Sequence, residues 1–268
     1  MLLILSSCDG SDKPASNLAG NWLIIYPEHR LRTSGEREIY GRHQDSIVSL
    51  LGLKLVSFDK AGRFTDMDSS GRAAGTWSVS QDSLLRITGG GKGFDPFLAT
   101  CHRFEKETLQ LAQLIPLEGK RIRVMWHLKK IAADAPAARL FTPEANRWRL
   151  RPAKPESLPG MQHRLASMLD YYGDYFALVA VESIYFSPAR VPLPLNYYQH
   201  SLGVSGTLKP SFKALFYNDD DALKAGDLLR NALRASAGEF EQAETFSHEY
   251  GLFLKKLARR LAAGTAAR

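Results

Sequence analysis

The chain reads as an α+β protein, an antiparallel β-barrel or sandwich in its first half followed by a mainly α-helical module. Three observations carry this expectation. Short runs rich in β-branched and aromatic residues recur from Asn17 to Ile131, separated by turn residues. Pro136, Pro143, Pro152, Pro155 and Pro159 then break the pattern. Beyond residue 160 the apolar spacing becomes helical. Composition agrees with a packed chain: of 268 residues, 44% are hydrophobic and 24% charged, and 35 Lys+Arg against 28 Asp+Glu leave 35 − 28 = +7. That balance excludes a disordered or collagen-like protein. No apolar run approaches the roughly 20 residues that span a bilayer as a helix. Two cysteines exclude both a disulfide framework and a four-thiolate metal site.

The opening Leu2-Leu3-Ile4-Leu5-Ser6-Ser7-Cys8 is an apolar run ending in two small residues and a cysteine. It resembles the lipobox of bacterial lipoproteins, in which the cysteine, here Cys8, is lipidated and becomes the mature N-terminus. The polar stretch from Asp9 to Ser16 suits a tether, so residues 1–16 are assigned to signal remnant and tether. The apolar stretch is shorter than a complete leader and no positive n-region precedes it. Either the start lies upstream of Met1, or Leu2–Leu5 is a buried first strand and Cys8 a core thiol. Lipidation implies a cell-envelope protein held on a membrane by its anchor. An acidic residue such as Asp9 after the cysteine accompanies surface export in some bacteria and inner-membrane retention in others; the outer membrane is the expectation. Cys101 then has no disulfide partner and reads as a buried, inert thiol.

Strands are expected at Trp22–Tyr26, Ile47–Phe58, Arg63–Met67, Ala74–Val79, Leu84–Thr88, Leu98–Glu105, Thr108–Ile115 and Arg121–Lys130, with a helix over Asp45–Leu55 competing for the second. Asp59–Gly62, Ser80–Ser83 and Leu117–Lys120 read as hairpin turns. Asn17-Leu18-Ala19-Gly20-Asn21-Trp22 contains the Leu-x-Gly-x-Trp signature of lipocalin-like domains. Phe58-Asp59-Lys60-Ala61-Gly62-Arg63-Phe64 followed by Gly75-Thr76-Trp77 resembles the middle hairpin of the small bacterial lipoprotein members. The resemblance covers residues 17–131 and implies a lipocalin-like barrel whose first Trp plugs the closed end, with a small apolar ligand in its mouth.

Residues 132–159 read as a Pro-rich linker containing the basic cluster Arg147–Arg151, and residues 160–268 as the helical module. A helix is expected over Gly160–Tyr172, with Leu165, Met168, Leu169 and Tyr172 on one face. Tyr175–Phe186 is apolar and β-branched enough for a strand, with a continued helix as the alternative, and Ser187–Pro210 is turn-rich. Asn218 with Asp219–Asp221 supplies an N-cap and a dipole-matched first turn for a helix striped by Ala222, Leu223, Leu228, Leu229, Ala232 and Leu233. A last helix over about Phe240–Ala262 faces Phe246, Tyr250, Phe253, Leu254 and Leu257 inward, making a hairpin with the one before it.

Motifs for chemistry are thin. Gly89–Gly93 lacks the Ser/Thr and following helix of a phosphate loop and reads as an inter-strand connection. Ser57-x-x-Lys60 runs into a hairpin turn, and Gly203-Val204-Ser205-Gly206 misses a nucleophile elbow by one residue. The seven histidines stand singly, and no cofactor or metal site is expected. Candidate ligand or partner contacts are Trp22, Trp77 and Trp126 in the barrel and the tyrosine-rich segment, Tyr171, Tyr172, Tyr175, Tyr197 and Tyr198. Function is therefore expected to be binding: a lipid-anchored barrel holding a small apolar ligand or serving as an accessory protein, with a non-catalytic scaffold subunit of an envelope assembly as the alternative. A hydrolase using His200, Glu182 and Asp174 is the third reading. No nucleic-acid partner is expected, because the basic residues are dispersed outside Arg147–Arg151 and Lys255–Arg260.

Overall fold

The computed structural model describes residues 18–29, 33–51, 54–68, 71–80, 83–91, 93–94, 96–104, 107–132, 137–180, 191–198, 201–204, 206–236 and 241–266. It divides into two units, one holding the barrel apart from Asp68–Gly71, the other holding Asp68–Gly71 and the residues from Ala135 onward. Cys8 lies outside the described residues, as do Glu182 and His200.

Eight antiparallel strands close into a barrel in chain order: β1 Gly20–His29, β2 Leu55–Phe58, β3 Arg63–Asp68, β4 Gly71–Val79, β5 Leu84–Gly89, β6 Phe97–Phe104, β7 Thr108–Leu117 and β8 Lys120–Ile131. β1 pairs with both β2 and β8, which shuts the ring. The alternation in the sequence sets the faces: on β5, Leu85 and Ile87 are buried while Arg86 and Thr88 are exposed. At Asp59–Gly62 the Asp59 N–H donates to the Arg63 carbonyl and Gly62 supplies a positive φ of 82°. Glu118 and Gly119, both left-handed, make the two-residue turn between β7 and β8.

The second expected strand is split between a helix, on the side where the competing helix over Asp45–Leu55 was expected, and a short strand. Residues 47–51 belong to α1, Ser34–Leu51, and β2 begins only at Leu55. The Thr33 hydroxyl accepts from the Glu36 N–H at 3.2 Å, and the Glu36 carboxylate accepts from the Thr33 N–H at 3.0 Å. This reciprocal cap starts the helix. Ile39, Tyr40 and Ile47, spaced for one helical face, are buried in the barrel core. Arg42 makes a forked contact to Glu118 (3.1 and 2.6 Å) and His43 meets the same carboxylate at 2.9 Å, tying α1 to the β7–β8 turn.

Those contacts, the Arg42 guanidinium first, hold the Glu118 carboxyl down at about 2. A depressed folded-state value means the tie is complete above the ordinary range near 4.5 and is lost as pH falls towards 2. Acid titration of urea stability should therefore show a shallow loss between about pH 4.5 and 2 that Glu118→Gln removes. An unchanged acid limb in that variant would refute the assignment.

In the second unit come α2 Ala137–Leu140, a 3-10 turn Arg147–Arg149, α3 Leu158–Val179, the ribbon β9 Leu195–Tyr198 with β10 Ser201–Val204, α4 Pro210–Lys213, α5 Asp219–Arg234 and α6 Phe246–Ala266. The Ser157 hydroxyl accepts from the Gly160 N–H, and Pro159 sits in the first turn of α3. The segment read as a linker carries buried Leu140, Phe141, Asn146 and Trp148. Arg164 on α3 fixes it, pairing bidentately with Glu156 and donating to the Trp148 and Leu150 carbonyls. Leu165, Met168, Leu169 and Tyr172 are buried as their spacing predicts.

The expected strand from Tyr175 is helical through Val179 and ends at Ala180 in a left-handed cap; β-branched content alone did not outweigh the running helical period. The β9–β10 ribbon lies in the stretch read as turns. Asn218 caps α5 through the Asp221 N–H at 2.8 Å. The buried stripe there is Ala222, Ala225, Gly226 and Leu229, with Leu223 exposed. α6 buries Tyr250, Phe253, Leu254 and Leu257, and its main packing partner is α3 rather than α5. Where they cross, glycines meet: a Cβ on Gly251 would lie 2.7 Å from the Gly173 carbonyl oxygen. No helix among the described residues is long and apolar enough to cross a membrane.

Candidate functional site

The three tryptophans expected as contacts are buried in the barrel, and each indole N–H has a partner within the barrel unit. Trp22 Nε1 donates to the Leu18 carbonyl at 2.8 Å, and the Lys130 ammonium sits 5.5 Å from its ring centre. Trp77 Nε1 donates to the Asp59 carbonyl at 2.9 Å, and its backbone N–H to the Gly62 carbonyl at 2.8 Å, so it ties down the β2–β3 turn. Trp126 Nε1 donates to Gln113 at 2.9 Å. A buried indole satisfied this way is bound to its own fold rather than presented outward.

Rings fill the interior. Trp77, Phe58, Phe64, Phe94 and Phe97 form a continuous chain of tilted and edge contacts with centroids 4.9–5.4 Å apart. Cys101 completes the wall beside them, and burial pushes its thiol up to about 11, so it stays protonated and unreactive.

One charged pair lies among these apolar groups. Lys54, just before β2, and Asp66 on β3 stand 3.3 Å apart with both side chains 3% exposed. Asp66 also accepts from the Gly91 N–H at 2.7 Å, and the Lys54 ammonium lies 5.3 Å from the Phe94 ring centre. The Gly-rich connection lays backbone at Gly90 and Gly91 against Asp66, Phe64 and Phe94, where side chains would not fit. Nothing in the sequence marks this pair, because strand register and the Gly91 backbone bring it together.

The tyrosine-rich segment is core where it is described. Tyr171, Tyr172 and Tyr175 are buried on α3, and Trp148, Tyr171 and Tyr172 form a triad with centroids 5.2–5.6 Å apart. The Arg149 guanidinium lies over Trp148 and Tyr171 at 4.6 and 5.2 Å. Burial pushes the Tyr172 phenol upward, against the pull of Arg149. These rings form the core of a helical unit and not a contact surface. Tyr197 and Tyr198 sit on β9, and their side chains fall outside the described residues.

Clefts open among the described residues of the helical unit. One of about 430 Å³ is bordered by Arg139, Glu144, Ser167, Asp170 and Asp174, and another of about 400 Å³ by Gln162, Asn231 and Arg260. Asp174, a residue of the hydrolase reading, is held by Lys255 at 2.5 Å, with Asp170 at 3.7 Å from the same ammonium. That is an ion pair between α3 and α6. Among the described residues no group of three or more His, Cys, Asp or Glu is placed to hold a metal ion.

No protein-family model matches the sequence, and no curated protein matches it. Among solved structures it is similar to a DUF4847 family protein from Bacteroides vulgatus, at 14% identity and a TM-score of 0.27, covering 44% of this chain and 96% of that one.

Proposed function

We propose that this chain is a non-catalytic scaffold protein of the bacterial cell envelope, lipid-anchored at Cys8, with a lipocalin-like barrel that acts as a rigid platform rather than a cup. The observation that carries the reading is the aromatic chain from Trp77 to Phe97 inside the barrel, with the Gly91 connection closed on Asp66. An eight-stranded barrel has room either for its own side chains or for one small ligand, and a ligand lying between Trp77 and Phe97 would have to displace these rings. The anchor is supported by the Leu5-Ser6-Ser7-Cys8 run and the polar stretch after it. The outer membrane is the proposed location.

Native mass spectrometry tests both halves. The chain is expressed in bacteria behind a complete leader and released gently from membranes. The expected species begins at Cys8, is heavier by acyl groups, and carries no further mass. A chain that stays soluble and unacylated overturns the anchor. An apolar molecule bound in equal amount overturns the platform and restores the ligand-binding barrel.

A further inference from the structure

We propose that the outer face of β5–β8 is a docking surface for anionic lipid headgroups. Strand register lines up one row across four strands. Arg86 pairs with Leu98, and Leu114 with Arg123. The β6–β7 pairing runs up to Thr100–Ala112, and Leu98 and Leu114 lie two residues beyond it on their strands, on the same outward face. All four side chains face away from the core. Leu98 is 47% exposed and Leu114 56%, which makes them two of the few large apolar residues that the barrel shows to solvent. The next outward row adds exposed Pro116 paired with exposed Arg121.

Same-face residues on neighbouring strands are within side-chain reach of one another, so the two leucines share one apolar spot. Arginines flank it on both sides. Arg86, Arg121 and Arg123 form no ion pair, and no described residue of these rows is acidic. Other surface arginines of this unit at strand turns are neutralised, Arg42 by Glu38 and Glu118 and Arg63 by Asp59.

An apolar centre ringed by unneutralised guanidinium groups matches a phosphate-bearing interface: the arginines fork onto phosphates while the leucines enter the acyl boundary. Single-stranded nucleic acid would call for exposed aromatic faces among the cations, and none stands in these rows. The lipid anchor would hold this face near a bilayer, but the surface rests on the barrel residues alone.

The test uses the full chain with Cys8→Ser, which cannot be acylated, and vesicles of phosphatidylethanolamine with phosphatidylglycerol against vesicles of phosphatidylcholine. The chain should sediment with the anionic vesicles only, and added salt should release it. Arg86→Gln with Arg123→Gln should weaken binding about 25-fold, at roughly fivefold per arginine. Leu98→Ser with Leu114→Ser should weaken it about tenfold. Lys154→Gln with Arg234→Gln, the same charge change at exposed sites of the helical unit, should leave it unchanged. All these positions are exposed, so thermal midpoints should not move. No sedimentation with anionic vesicles, or equal weakening by the two charge pairs, overturns the proposal. Because Cys8 is absent throughout, neither result depends on whether the natural chain is acylated.

Discussion

Gly251→Val should cost the helical unit about 3 kcal/mol, the upper end of what an overpacked core position loses. The new side chain has nowhere to go: its Cβ alone would sit 2.7 Å from the Gly173 carbonyl oxygen and 3.2 Å from the Ala177 nitrogen. Both are backbone atoms, which cannot rotate away. A Cβ on Gly173 would likewise meet the Gly251 carbonyl at 3.0 Å. Gly251→Ala should cost less, because alanine recovers about 1 kcal/mol of helix preference. The control is Gly41→Ala on α1, whose Cβ would meet nothing within 4 Å and which should gain about 0.5–1 kcal/mol. Urea unfolding followed by far-ultraviolet circular dichroism reads all three. If Gly251→Val matched the control in sign, α3 and α6 would not be in backbone contact at this crossing.

Lys54→Met should destabilise the barrel by about 3–5 kcal/mol, the cost of leaving a buried charge without its partner. The orphan is the Asp66 carboxylate, which then keeps only the Gly91 N–H and whatever water can enter. Adding Asp66→Asn should restore most of the loss. The amide is neutral, and its oxygen can still accept from Gly91. A double-mutant cycle isolates the pair, with a coupling of about 2 kcal/mol or more expected for buried partners. Near-zero coupling would mean that solvent reaches both groups. In that case the end of the barrel is open, and the platform reading of the barrel falls with it.

The barrel was largely legible because half-buried strands write their faces in alternation, as Leu85, Arg86, Ile87 and Thr88 do on β5. For helix α1, where that code fails, the sequence leaves strand and helix in competition over Asp45–Leu55 and does not show the start at Ser34. The run from Ile47 to Phe58 is apolar almost throughout and has no period to read, and the informative signal lay upstream in the Thr33–Glu36 capping box. Tyr175–Val179 reads both ways for the same reason, since aromatic and β-branched residues suit a buried helix face as well as a strand, and residues 181–186 of that expected strand lie outside the described residues. Among the candidate contacts, sequence located the tryptophans but not their roles. Their partners are chiefly backbone carbonyls, at Leu18 and Asp59, which no pattern marks. The outward arginine row was hidden because its members, Arg86, Leu98, Leu114 and Arg123, are far apart in sequence and meet only through strand register.

The pairing of β1 with β8 also orders events in time. Asn21 bonds across to Ile131, a separation of 131 − 21 = 110 residues. A chain that emerges N-terminus first, from a ribosome or through a translocation channel, delivers the first strand long before the last. Until residue 131 arrives, β1 has one finished edge against β2 and one bare. Closing so distant a contact is slow, and a bare edge is an open template for another chain. The barrel unit is therefore most vulnerable as a nascent chain, and any holding factor it needs would act on β1 during that interval.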